Sequence, residues 1–401
     1  MKKILLSAFA CDPTEGSEPG NGWNWAVGLS QQGYEVHCLT REVGRQNIQS
    51  FTKPDNLFFH YINLPFGFER LYSFSQPTMY LHYLSWQWLA YKKAKGLHEE
   101  IVFDLIHHVT WGSLQMGSFL YKIEVPFIFG PAGGGQKAPV SFKKYFLDHW
   151  KSEVKREKVS QLFLKWNPGF KNMIKKASAV LVSNNDTFEL AQRYGANNVH
   201  LVFDVGLPAS FFPDMLLREH NFSTSLRLLW VGRFLPRKGL LLIVEVMAKL
   251  KNYPGITLTV VGDGEMRMAF IQAVEHLGLQ DQVSWMGKIP FNEVKEVYAS
   301  HDVFFFTSLR DSCGAQLIEA MAYGLPVITL NLHGSGMIVD TDRGITVEVS
   351  EPNTTVNELA KAVLELYEDR SKLKVLSEGA SLYAKKHTWE SIFTNVTNAF
   401  Y

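Results

Sequence analysis

Two short stretches place ionisable side chains where a strand gives way to a loop. In Val231-Gly-Arg-Phe-Leu-Pro-Arg-Lys-Gly239, Arg233 and Lys238 follow a strand-like run and Gly232, and a helix-like run comes next. Two cations at a helix N-terminus can hold a diphosphate, with roughly 1.5–3 kcal/mol for each charge-assisted hydrogen bond. The spacing is not that of a Walker loop, and a pair of solvated surface cations has the same sequence. In Asp311-Ser-Cys-Gly-Ala-Gln-Leu-Ile-Glu319 one acid precedes a helix and a second lies within it, with Gly314 between them. At the carboxyl end of a parallel strand such acids can hold the hydroxyls of a sugar or ribose. A helix-capping or solvated Glu319 is the plainer alternative.

These residues need elements to aim them. Val303-Phe-Phe-Phe-Thr307 reads as a buried parallel strand; the run Gly314 to Ala322 reads as a helix stopped by Gly324, and Pro326 opens the next strand. The same strand-and-helix alternation starts at Leu226 and runs through strands at Thr257–Val261 and Gln282–Met286. The chain begins in a similar way. Ile4 to Ala8 reads as a strand and Asp12 to Gly22 as a loop rich in Gly and Pro; Trp23 to Gln31 reads as a helix and Gly33 to Leu39 as a second strand. Gly20 and Gly22 would let backbone N–H groups approach a phosphate at that helix start, though a plain tight turn fits equally. Thr40-Arg41 stands where a dinucleotide site would carry an acid, which argues against that class. Both halves thus read as α/β, doubly wound Rossmann-like domains. The boundaries fall at 1–207, a linker at 208–225, a second domain at 226–385 and a terminal segment at 386–401.

Composition narrows the partners. With 401 residues, 46% hydrophobic and 20% charged, the chain has the make-up of a soluble globular protein with two cores. A formal charge of +1 does not favour nucleic acid, and three cysteines form no disulfide framework. The expected location is the cytoplasm. One region departs from the average: residues 137–176 hold eleven Lys or Arg against three acids, interleaved with aromatics. That is either the solvated face of core-packed helices or a peripheral contact with the inner face of an anionic membrane.

The succession Gly232-Arg233-(x4)-Lys238-Gly239, Val260-Val-Gly-Asp-Gly-Glu265, Val283-Ser-Trp-Met-Gly287 and Gly314…Glu319-Ala-Met-Ala-x-Gly-x-Pro-Val327 resembles the donor domain of glycosyltransferase family 4. That family comprises retaining enzymes of GT-B fold, two Rossmann-like domains facing a cleft. The likeness runs from about Leu226 to Val347 and is looser in the first half. It implies a nucleoside-diphosphate-sugar donor and no metal, while the basic aromatic region 137–176 points to a membrane-associated acceptor such as a lipid-linked or growing cell-surface glycan. By the same resemblance Arg233 and Lys238 would hold the diphosphate, Glu319 the ribose, and Asp311 the transferred sugar. Gly287 would line the base pocket, Gly22 would close on the phosphates, and the segment after His387-Thr-Trp389 would cross back to the first domain.

The chain departs from the family in two places. Asp311 stands where a Glu is usual, with Cys313-Gly314 in place of Phe-Gly. The loop after the strand at Pro126 reads Gly-Pro-Ala-Gly-Gly-Gly135 where many members carry a His. His107 or His108 could take over its contacts to the sugar, and His108 is the candidate. Adjacent strand residues face opposite ways, so only one can point at a ligand, and a satisfied core histidine fits each equally. A nucleotide-sugar-binding protein with little transferase activity and a sugar-nucleotide epimerase are the alternatives.

Overall fold

Parallel strands covered on both faces are buried along nearly their whole length, as the central strands Lys3–Ala8, Leu105–Thr110 and Val303–Phe306 are here. The computed structural model describes residues 1–65, 67–213 and 225–401. They form two units, the first from 1–135, 158–205 and 389–401 and the second from 136–157 and 206–388. The first unit holds β1 (Lys3–Ala8), β2 (Glu35–Arg41), β3 (Leu57–Ile62), β4 (Leu105–Thr110), β5 (Phe127–Ala132), β6 (Ala179–Val182) and β7 (Val199–Leu201). All are parallel, in the order β3-β2-β1-β4-β5-β6-β7. The second unit holds β8 (Leu226–Val231), β9 (Ile256–Val261), β10 (Val283–Gly287), β11 (Val303–Phe306), β12 (Val327–Leu330) and β13 (Gly344–Val347) in the order β10-β9-β8-β11-β12-β13. In each sheet the winding reverses once, between β1 and β4 and between β8 and β11. Loops leaving the carboxyl ends of such a strand pair diverge and open a crevice.

Several elements differ from the sequence reading. β13 is an added edge strand, too short to announce itself. The first helix spans Ser17–Gln31, so Gly20 and Gly22 lie within its first turns and not in an open loop. A Cβ on Gly22 would sit 2.0 Å from the carbonyl oxygen of Ala10, and one on Gly20 would sit 2.5 Å from that of Glu15. Their bareness lets the helix close on its own loop. The long aromatic helix starts at Gln76, not Arg70: Ser75 and Thr78 cap each other across its N-terminus, and Pro77 is tolerated only in the first turn.

The expected first domain, 1–207, is not one unbroken stretch. Residues 136–157 belong to the second unit, where Phe142, Tyr145 and Phe146 are buried in the same core as Leu240 and Val244. Tyr145 donates to Glu245 at 2.7 Å, and Lys144 bonds the same carboxylate at 2.9 Å. The aromatics of this part of the basic region are therefore core, not a membrane face. Of the expected linker 208–225, residues 214–224 lie outside the described residues. The rest packs on the second unit, with Phe211 buried and its carbonyl accepting from Tyr323 at 2.9 Å.

The final helix, Trp389–Phe400, packs in the first unit against Ser17–Gln31. Phe393 meets Trp25 edge-on at 5.1 Å, and its ring occupies the space a side chain at position 28 would need. A Cβ on Gly28 would fall 1.9 Å from that ring. Gly28→Ala should therefore lower the melting temperature despite alanine's better helix propensity, costing about 1–3 kcal/mol as an overpacked site. In a Phe393→Leu background the same change should cost less. Thermal unfolding that shows Gly28→Ala neutral or stabilising in the wild-type background would contradict this packing.

Candidate functional site

The ends of β8 and β11 are laced together by the backbone. Gly239 has φ +67°, and a Cβ there would lie 2.1 Å from the carbonyl oxygen of Thr307, so the loop after β8 rests directly on the end of β11. Thr307 Oγ1 accepts from Trp230 Nε1 at 3.2 Å and donates to the carbonyl of Gly239 at 3.0 Å. Leu309 N–H donates to Arg237 O at 2.8 Å, and Arg237 Nη1 donates to Arg310 O at 2.9 Å. The two loops are thus one structural piece at the switch point.

Four charged groups converge on it. The Lys238 ammonium is buried and forms an ion pair with Asp311 Oδ2. The same oxygen lies 3.3 Å from Arg237 Nη1 and 3.3 Å from Ser308 Oγ. Burial works against the Asp311 charge, but Lys238 and Arg237 outweigh it and hold the carboxyl down to about 2. Burial lowers Lys238, with Asp311 opposing. Arg233 is exposed and near enough to Lys238 to repel its charge; its side chain makes no hydrogen bond or ion pair among the described residues. Three cations face one carboxylate here, an excess that suits an anion. Behind them Arg310 is bound by Glu153 at 2.7 Å and pushed down to about 10, chiefly by burial and next by Arg156.

Glu319 lies on the helix Ala315–Ala322, which starts at Gly314 beside the Phe306 ring. Its Oε2 accepts from the buried Tyr298 hydroxyl at 2.9 Å, so it is a held carboxylate and not a solvated helix charge. Burial raises it to about 7, with the Tyr298 bond opposing. Gly232 packs under Gly262, where a Cβ would sit 1.8 Å from the Gly232 carbonyl oxygen. Gly287, at φ +74°, accepts from Gly262 N–H at 2.8 Å and has open space on its Cβ side. Arg233, Lys238, Asp311, Glu319, Gly232, Gly287 and Gly314 thus all lie in the second unit, at the end of β10 or on the loops and helix that follow β8 and β11.

The first unit places its expected residues differently. His107 Nε2 donates to Gly130 O at 2.7 Å, and Nδ1 accepts from Tyr401 at 2.5 Å. His108 Nδ1 pairs with Ser7 Oγ at 3.0 Å, Nε2 lies 3.3 Å from Trp111 O, and the ring stacks on Phe129. Both are fully buried, and burial lowers them to about 3 and about 4. Both rings point into core, so His108 does not reach an open surface as its expected sugar contact would require: both faces of a covered parallel sheet are core. Sequence reading passed over Glu18, whose Oε1 accepts from Gly112 N–H at 2.7 Å across the β1–β4 switch point. Burial raises its carboxyl. Arg237, Glu153 and Tyr298 were passed over too. Only Arg237 had a local signal, its place beside Lys238.

Residues 217–382 match the family model described as Glycosyl transferases group 1. The chain is 25% identical over 176 residues to the phosphatidylinositol N-acetylglucosaminyltransferase GPI3 subunit of Saccharomyces cerevisiae, a match over 42% of this chain and 38% of that protein. It is 32% identical over 141 residues to 2-deoxystreptamine glucosyltransferase of Streptomyces kanamyceticus, over 35% of this chain and 36% of that one. The chain thus spans under two-fifths of the length of these curated relatives. Among solved structures it superposes along its whole length on sucrose-phosphate synthase of Thermosynechococcus elongatus, with TM-score 0.70, 20% identity and 98% of that chain covered. It does so also on Anabaena HepE in complex with UDP, with TM-score 0.67, 16% identity and 99% covered. The fold, two Rossmann-like α/β units of GT-B type, is the one expected from the sequence.

Ionisation of Glu319 should be visible in stability. Its folded value, about 7 against an ordinary 4.5, means that the charged form is disfavoured by folding. The penalty is absent below pH 4.5, grows as pH rises and is complete above pH 7, reaching about 3 kcal/mol at most. Glu319→Gln should therefore gain stability relative to wild type as pH rises from 5 to 8 in denaturant titrations. Parallel pH profiles would contradict the burial of that carboxyl.

Proposed function

We propose that the chain is a glycosyltransferase that takes a sugar from a nucleoside-diphosphate sugar and passes it, with retention of configuration, to a glycan or lipid-linked acceptor. The observation that carries this is the cation excess of Arg233, Arg237 and Lys238 over Asp311 at the β8–β11 switch point. It sits within the stretch that matches the glycosyl transferase family model. Arg233 and Lys238 bind the diphosphate and stabilise the departing nucleoside diphosphate, charge work that this reading assigns to side chains without a metal. Glu319, oriented by Tyr298, accepts from the ribose hydroxyls, and Gly287 leaves room for the base.

Asp311 takes a role different from direct sugar contact. Its carboxylate is committed to Lys238 and Arg237, so it fixes the cations against which the phosphates dock. Gly20 and Gly22 contribute the form of the first helix start, not bare N–H groups. UDP-sugars are the first donors to test, since a structure of the same fold holds UDP.

Donor turnover by mass spectrometry over UDP-, GDP- and ADP-sugars should find one that is hydrolysed slowly or transferred. The product's anomeric configuration, read by NMR, should match the donor's. Arg233→Ala and Lys238→Ala should each lower kcat/KM about 10- to 100-fold or more, as expected for one charge-assisted hydrogen bond or two. Binding without turnover of any donor would select the binding-protein alternative, and conversion of a donor to its epimer would select the epimerase. An inverted product would remove the retaining mechanism while leaving transfer standing.

A further inference from the structure

The part of the basic region that stays in the first unit is chemically one-sided. From 158 to 176 there are five lysines (Lys158, Lys165, Lys171, Lys175, Lys176), all exposed, and no acid. Large apolar side chains stand in water among them: Leu162 is 57% exposed and Trp166 67%. A buried-core reading accounts for Leu164, Phe170, Met173 and Ile174, but not for these two.

The surface continues onto an element that the composition of 137–176 does not mark. Tyr80 on the helix Gln76–Ile101 meets Phe163 at 5.3 Å, which joins the two segments. The next residue, Leu81, is 51% exposed; Trp88, seven residues later and so on the same helical face as Leu81, is 44% exposed. Phe74, just before that helix, is 82% exposed. The turn Leu120–Lys122 lies beside both segments: Lys122 sits 5.4 Å over the Trp88 ring, and Lys176 sits 5.8 Å over Tyr121. Lys92 covers Trp88 from its own helix at 5.4 Å, and Lys165 covers Trp166 at 5.3 Å.

Indole rings flanked by lysine ammonium groups, with aliphatic side chains beside them, are the grouping suited to a phospholipid interface. The rings and leucines enter the headgroup–acyl boundary, and the lysines stay with the phosphates. Nucleic acid would use the lysines but gives no reason for exposed Leu81 and Leu162. We propose that this face of the first unit, built from the helix Gln76–Ile101 and residues 158–176, docks on an anionic lipid bilayer. The surface includes no residue of the anion site and stands independently of the transfer reading.

Vesicle flotation of the full chain tests it. Mixed phosphatidylcholine–phosphatidylglycerol vesicles should carry the protein, and pure phosphatidylcholine should carry much less. Leu162→Ser with Trp166→Ser should abolish flotation at every salt concentration. Neutralising Lys165, Lys171 and Lys175 to Gln should weaken it about fivefold per lysine at low salt, with less effect at high salt. Both variants should keep the wild-type melting temperature and nucleoside-diphosphate response, which separates a lost surface from a lost fold. No flotation, equal flotation on neutral and anionic vesicles, or binding that survives loss of Leu162 and Trp166 would each overturn the proposal. Salt-sensitive RNA binding without vesicle binding would overturn it as well.

Discussion

The second unit is organised around one buried ion pair, Lys238 with Asp311. An ammonium taken out of water is costly unless a carboxylate meets it, and breaking such a pair by removing one partner costs roughly 3–5 kcal/mol. The partners come from loops that follow two different strands, so the pair exists only if those loops are set side by side. Gly239 with its left-handed backbone, Thr307 under it and the Arg237–Arg310 bond do that setting. The interaction and the scaffold therefore specify each other. With Lys238 matched to Asp311, the charges of Arg233 and Arg237 remain in excess at the mouth of the switch point.

The carboxyls of Asp311 and Glu319 are shifted in opposite directions by their surroundings. Asp311 lies among cations and stays ionised far into acid; Glu319 has one neutral donor and a low-dielectric setting, and titrates near neutrality. Ligand hydroxyls donating to Glu319 would stabilise its charged form, so ligand binding and proton release are linked there. Glu153 reaches this network from the segment 136–157, which the chain takes out of the first unit and then returns. Its bond to Arg310 steadies the loop that ends in Asp311.

Much of the fold was legible because a covered parallel strand can be read without knowing its neighbours. Runs such as Ile4-Leu-Leu and Val303-Phe-Phe-Phe306, apolar and rich in β-branched or aromatic side chains, carry that signal within themselves. The cation loop and the Asp311–Glu319 spacing were legible for a similar reason, since both are local. What could not be read depends on three dimensions. Strand alternation put His107 and His108 on opposite faces, correctly, but not that both faces are core. Gly20 and Gly22 looked like loop glycines because the close approach they permit is to the carbonyls of Glu15 and Ala10 in the preceding loop, which spacing does not show. The aromatics of 137–176 divide between a core and a surface, and only the packing of Phe142, Tyr145 and Phe146 against the second unit shows where the division falls.

The central claim is that the cations between β8 and β11 hold a diphosphate. Calorimetric titration of the chain with a nucleoside diphosphate and the matching monophosphate, both with a chelator present, tests it most directly. The account predicts that the diphosphate binds at least about tenfold tighter, the yield of one further charge-assisted hydrogen bond, and that the difference disappears in Arg233→Ala. Equal affinities for the two nucleotides, or a preference that survives loss of Arg233, would contradict it.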